Sequence, residues 1–316
     1  MNTNRDVILA GVDGTEAGLA AARYAAAEAA RLGVALHLIY AIDPYAPALP
    51  TWPPAPTDPD SRMGKLGRSI LDEAEEAVAD SGAVVSTYML LGRPALVLVE
   101  NAAKARLVVL GDQPRSLFDR IITSSIIAPV AAHSPAPVVV VPAAWPSDEV
   151  TREIVVGVMD ASTSAALVRR GLEVAAARGA RLRLLHAWHA FGSYPDLTAG
   201  VDERLWTERA ERELDAVLET ARAGSGAVAA GVETVVEAVQ AQTAYALVEA
   251  SRKAELLILG RGRHFLGLRH LGGTSRAVLR ESVCPVEIDP TVSPSFEGDT
   301  GADSGLATAG SQPANV

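Results

Sequence analysis

Between Gly260 and Arg280 the chain carries Arg261, Arg263, Arg269, Arg276 and Arg280 with His264 and His270, and no Asp or Glu. The stretch GRGRHFLGLRHLGGTSRAVLR follows the apolar run at 256–259 and reads as a strand, a glycine-rich loop and a helix. Backbone N–H groups at such a helix N-terminus gather partial positive charge and suit a phosphate. Side chains and backbone therefore point to the same chemistry, the holding of an anion. Two other readings stand beside it at this level. The glycines also serve simply to pack a helix on a sheet, and Arg269, Arg276 and Arg280 also fit a solvated helix face. Asp13 and Asp160 each follow an apolar run, at 8–12 and 154–158, where a carboxylate either meets a ligand or caps the next helix.

Other chemistries lack their residues. A dinucleotide fingerprint should follow the first strand, where VDGTEAG and VMDASTS stand instead, and GRGR does not lead into the Gly-Lys-Ser/Thr of a P-loop. No Ser-His-Asp order or loop carboxylate pair stands out, so no catalytic set is assigned and the chain is not read as an enzyme. His186 and His189 in LLHAWHA lack a third ligand for a metal site, and Trp188 between them is expected to pack on the interdomain linker or to contact a base. The single cysteine, Cys284, excludes an internal disulfide and reads as a small buried hydrophobe beside Pro285.

Composition narrows the partners. The chain has 316 residues, 49% hydrophobic and 4% aromatic, enough for two ordinary aliphatic cores. A net charge of −10 disfavours nucleic-acid binding, which relies on basic surface, whereas a local basic loop suits a small anion. No stretch reaches the roughly 18 apolar residues of a membrane span, and a soluble, cytoplasmic protein is expected.

The elements that position these residues follow from periodicity. DVILAGV at 6–12 reads as a strand, Thr15 as a helix N-cap, 16–32 as an Ala-rich helix stopped by Gly33, and 34–40 as a second strand. Repeated prolines keep 43–60 out of regular structure. A helix at 61–80, a strand at 84–91, a helix at 94–104, a strand at 107–110 ending at Gly111, a loop and helix to His133, and a strand at 138–141 complete the unit. The pattern then recurs: Asp160 answers Asp13, Gly260 answers Gly111 and Pro285-Val286 answers Pro137-Val138, at offsets of 147 to 149 residues. The fold class read from this is α/β, as two tandem doubly wound parallel-sheet domains at 1–142 and 153–289, with a linker at 143–152 and a disordered tail at 290–316. Ligands in such sheets sit at the carboxyl ends of the strands, at the topological switch point. Asp13 with Gly111, and Asp160 with Gly260, are expected to converge on one crevice per domain.

The openings DVILAGVDGT and EIVVGVMDAS, the runs ARLVVLG and AELLILG, and the ends SPAPVVVVP and SVCPVEIDP resemble those of the universal stress proteins over both halves. That resemblance implies a stress-response regulator with ATP as ligand and regulator, and leaves Mg²⁺ open as its companion ion. It also implies domains that pair through their last strands, here 138–141 with 286–288, and leaves a homodimer open; Glu287 breaks the symmetry of such a pair. Nucleotide-binding members carry Gly, two residues, Gly, nine residues, then Gly-Ser or Gly-Thr around the phosphates, and an Asp that meets the adenosine portion. In the second copy the residues matching this motif are Asp160, Gly260, Gly262, Gly272, Gly273 and Thr274, with Arg263 at the second glycine in the alternative register. In the first copy Asp13 and Gly111 match, but Pro114 replaces the second glycine and Ser124-Ser125 the closing pair. Asp112 and Asp119 cancel Arg115 and Arg120 there. A carboxylate about 4 Å from a phosphate costs roughly 1 kcal/mol in water and about 4 kcal/mol near a protein surface, so the first copy is expected to be the weaker site. A non-nucleotide scaffold and a slow ATP hydrolase are the alternative readings.

Overall fold

The computed structural model describes residues 6–43, 62–112, 120–146, 151–160, 164–188, 203–262 and 271–292. The proline-rich stretch 44–61 and the basic residues 263–270 lie outside them. In the first half the elements are β1 (Val7–Gly11), α1 (Glu16–Leu32), β2 (Ala35–Ile42), α2 (Arg62–Glu76), β3 (Val85–Leu91), α3 (Pro94–Ala102), β4 (Ala105–Asp112), α4 (Arg120–His133) and β5 (Val138–Pro142). The second half supplies β6 (Glu153–Gly157), α5 (Ala165–Arg178), β7 (Arg181–Trp188), α6 (Glu203–Ala223) and α7 (Ala227–Ala230). It continues with β8 (Thr234–Gln240), α8 (Thr243–Ser251), β9 (Leu256–Arg261), α9 (Gly273–Glu281) and β10 (Val286–Val292).

Local chemistry sets the boundaries. The Thr15 hydroxyl accepts from Gly18 N at 3.1 Å and so satisfies an amide that α1 cannot. At the other end Gly33 adopts φ 64°, a left-handed cap that returns its N–H to the last carbonyls of the helix. Alanines fill the buried side of α1, which lets that helix lie close on β4 and β5.

Among the described residues ten strands form one sheet in the order β3-β2-β1-β4-β5-β10-β9-β6-β7-β8. Pairing is parallel within each half and antiparallel only between β5 and β10, where Val286 faces Val140, Glu287 faces Val139 and Ile288 faces Val138. Four consecutive buried valines on an open edge would template aggregation, and β10 covers that edge. The apolar packing also crosses the seam: Ala131 of α4 sits in the cluster built by α8, β9 and β10, while Leu279 of α9 packs against the cluster of α3 and α4.

The structure corrects one expectation here. β10 runs to Val292, so residues 290–292 belong to the sheet rather than to a tail. The cause is a bulge between Asp289 and Val292, which accommodates Pro290, a residue with no amide to offer a regular ladder. Trp188 stacks on Trp206 of α6 with ring centroids 6.4 Å apart. The linker aromatic Trp145 packs against cores of both halves.

Charged groups reinforce the seam. Arg170 of α5 grips Glu287 of β10 through two bonds, Nε to Oε1 at 2.7 Å and Nη2 to Oε2 at 3.0 Å. This pair neutralises the charge that makes β10 unlike β5. Arg178 at the end of α5 donates to the Tyr24 hydroxyl at 2.6 Å and pairs with Glu28 and Glu255, each at 2.9 Å. Burial holds the Tyr24 phenol protonated well above the ordinary phenol range, although Arg178 pulls the other way. The unfolded chain ionises that phenol near pH 10, whereas the folded chain does not, so the protonated phenol's share of stability is intact below about pH 10 and declines above it. Tyr24→Phe is expected to remove about 1 kcal/mol of the stability lost between pH 10 and pH 11, read by urea unfolding of both proteins at the two pH values.

Candidate functional site

In the first half, Gly11, Asp13, Gly18, Tyr40, Leu98, Gly111 and Ile127 border one crevice of about 90 Å³ at the carboxyl ends of β1, β2 and β4. Asp13 and Gly111 therefore share a wall. Oδ1 of Asp13 accepts from the Thr15 amide at 3.1 Å and the Thr15 hydroxyl at 2.6 Å, so this carboxylate braces the residue that caps α1 rather than capping it directly. Burial chiefly, and the Asp13 charge in addition, raise the Tyr40 phenol above its ordinary range, which brings Tyr40 and Asp13 to the same rim. The floor is aliphatic, from Leu98, Leu110, Ile126 and Ile127. Sequence reasoning did not name these wall residues, although the apolar spacing of Ile126, Ile127 and Val130 on α4 carried a signal for them.

α4 begins at Arg120, so Ser124 and Ser125 lie inside the helix rather than at its N-terminus. From the fifth helical residue onward, amides are engaged by carbonyls one turn earlier and cannot face a phosphate. Gly111 is a glycine for a reason internal to the fold: a Cβ there would fall 2.8 Å from Gly18 N and far inside contact distance of the Ala17 carbonyl.

In the second half β6 and β9 are parallel neighbours, with Gly157 beside Leu259, so Asp160 and the segment 260–262 leave the sheet from adjacent strands at the same end. A notch of about 160 Å³ lies between Asp160, Met159, His186 and the α6 residues Ala210, Glu213 and Leu214, on the side away from α8 and α9. His186 Nδ1 lies 2.8 Å from the Val158 carbonyl and so carries the proton there. Gly272 is the N-cap of α9, with φ −62° and ψ 161°, followed by Gly273 and Thr274; no side chain caps the helix and its first turn holds no acidic residue. An added Cβ at Gly262, Gly272 or Gly273 would meet no described atom within 4 Å, and none of the three has a positive φ.

The arginines divide differently from the sequence expectation of one anion-facing set. Arg261 is buried and donates to the Ser134 carbonyl at 2.8 Å, Arg276 Nε donates to the Leu271 carbonyl at 3.0 Å beside the α9 N-terminus, and Arg280 pairs with Glu281. Arg263, Arg269, His264 and His270 fall outside the described residues, as does His189. No group of three or more His, Cys, Asp or Glu able to hold a metal occurs among the described residues. Cys284 is completely buried, and burial pushes its thiol up to about 12, against smaller opposing effects of the Ser282 hydroxyl and backbone. Among the same residues no helix is long and apolar enough to cross a membrane.

Two five-stranded parallel halves, β3-β2-β1-β4-β5 and β8-β7-β6-β9-β10, joined edge to edge, define a tandem doubly wound α/β protein. The pattern described as the universal stress protein family matches residues 4–142 and again 151–289. The chain belongs to the universal stress protein family and carries two copies of its domain. A universal stress protein of Mycolicibacterium smegmatis is 27% identical over 294 residues, covering 89% of this chain and 96% of that one. One from Mycobacterium tuberculosis is 26% identical over 312 residues, with coverage of 90% and 96%. Among solved structures, a universal stress protein of Archaeoglobus fulgidus shares the fold with a TM-score of 0.64 at 19% identity, covering 91% of this chain and 97% of its own.

Proposed function

We propose that this chain is an ATP-binding stress-response regulator, with Mg²⁺ accompanying the nucleotide, and that its better site is in the second domain. The observation that carries the reading is the contrast among the glycines. Gly111 is required by packing, whereas Gly262, Gly272 and Gly273 have open surroundings among the described residues and ordinary backbone angles, so their lack of a side chain serves close approach from outside. Gly260 and Gly262 lead into the loop, Gly272, Gly273 and Thr274 open α9 with amides that have no partner within the helix, Arg263 supplies charge, and Asp160 meets the adenosine portion. Asp13, Gly111, Ser124 and Ser125 make the poorer set, since Gly111 is committed to α1 and the serines are inside α4.

The domains are read as 1–142 and 153–292 on either side of a short linker, and a net charge of −10 favours a small nucleotide over nucleic acid as partner, in a cytoplasmic protein. The test is calorimetric titration of the full chain with ATP and Mg²⁺. One site per chain is expected. Gly272→Val should weaken binding by about tenfold or more while leaving the melting temperature within a few degrees, because φ −62° and ψ 161° accept a side chain and Gly is only a fair N-cap. The double variant Arg263→Ala/Arg269→Ala should weaken it comparably by removing charge. No heat with any adenine nucleotide would leave the scaffold reading, and ATP turnover abolished by Asp160→Asn without loss of binding would establish the hydrolase.

A further inference from the structure

Arg261 ends β9 and opens the second loop, yet only 4% of its surface is exposed. Its Nη1 donates to the Ser134 carbonyl at 2.8 Å and its Nη2 to the Pro290 carbonyl at 3.5 Å. Ser134 belongs to the other domain. It lies in the turn between α4 and β5, wholly buried, with its amide bonded to the Val130 carbonyl at 2.8 Å. Its hydroxyl donates to the Ala136 carbonyl at 2.6 Å and accepts from the Ala136 amide at 3.1 Å. The acceptor that Arg261 reaches is thus fixed on both sides. Pro290 is held as well, in the bulge of β10, where Val292 returns to pair with Arg261 itself.

Among the described residues the first copy shows no counterpart to this arm. Asp112 occupies the matching position, pairs with Pro142 without a register shift, and carries a carboxylate where a guanidinium would be needed to donate to a carbonyl. The end of β9 is anchored on the first domain through an arginine at a position where the first copy carries Asp112.

We propose that Arg261 is a positioning residue that makes the second nucleotide site an interdomain one, so that occupancy of the loop is felt in the α4–β5 turn of the first domain. The inference rests on the nucleotide reading above. Arg261 leaves the backbone between Gly260 and Gly262, and any adjustment of those residues around a phosphate must either carry the guanidinium with it or break buried, charge-assisted bonds. Coupling of this kind requires only that the ligand favour one of two arrangements of the loop.

Hydrogen–deuterium exchange of the full chain, with and without ATP and Mg²⁺, tests it in the wild type, Arg261→Met and Arg261→Lys. In the wild type, exchange is expected to slow by about twofold or more both in peptides of the loop and in peptides covering 130–138. Arg261→Met should keep the response of the loop and lose that of 130–138, while Arg261→Lys, with its charge but no fork of donors, should show a reduced one. A wild-type response confined to the loop, or one at 130–138 that is undiminished in the variants, overturns the inference and leaves nucleotide binding standing. No response anywhere overturns both. If Arg261→Met does not fold, the wild type and Arg261→Lys decide between the same outcomes.

Discussion

Gly111→Ala is expected to lower the stability of the protein by about 3 kcal/mol or more, at the upper end of what overpacking costs. A methyl group there is directed at the backbone of Ala17 and Gly18 in the first turn of α1. Backbone cannot rotate aside as a side chain does, so α1 must lift from β4, and its buried alanines lose their contacts together. Gly262→Ala is the control. It adds the same methyl group to a strand-end glycine of the other copy, where no described atom lies within 4 Å, and should change stability by less than about 0.5 kcal/mol. Urea unfolding at neutral pH separates the two, with Gly111→Ala shifting the midpoint down and Gly262→Ala leaving it in place. Equal, small effects of both would mean that Gly111 is not held by α1.

Glu287→Ala should cost about 3 kcal/mol, the lower end for breaking a buried pair. Its carboxylate is 2% exposed and fully engaged by Arg170, so removal strands a guanidinium beneath the sheet. Arg170 keeps 28% of its side-chain surface in contact with solvent, and the nearby Asp289 also attracts it, which keeps the loss from being larger. Replacing both partners, as Arg170→Met with Glu287→Leu, should recover most of the stability, because the cost comes from the unpaired charge rather than from the lost bonds. Because the pair lies where the domains meet, the single variant is also expected to broaden the unfolding transition as the halves melt apart. A double variant no more stable than Glu287→Ala would show instead that the geometry of the ion pair, and not its charge balance, is what the seam requires.

Local signals made much of the fold readable. Thr15 and Gly33 mark the ends of α1 because capping chemistry is local, and the runs at 8–12, 107–110 and 256–259 mark central strands because both faces of those strands are covered. The repeat spacing separated the domains, and the resemblance in their end segments led to the pairing of β5 with β10. The misses share a different origin. Arg261 carries the same formal charge as its neighbours in the sequence, and only a contact 127 residues away shows it committed to the Ser134 carbonyl. Glu287 read as a blemish in a strand until Arg170, 117 residues distant, supplied its partner. Position in a motif describes what a residue could contact, and packing decides which of those contacts is made.

The antiparallel seam between β5 and β10 has one more consequence. When two identical chains join by such a pairing, each substitution appears on both sides of the axis and must suit itself. Within one chain that constraint is lifted. Val139 stays apolar while the residue facing it, Glu287, is an acid served by Arg170, and Asp112 diverges from Arg261 without penalty to its twin. The two halves are free to specialise, and their association does not weaken on dilution because the chain itself fixes their effective concentration.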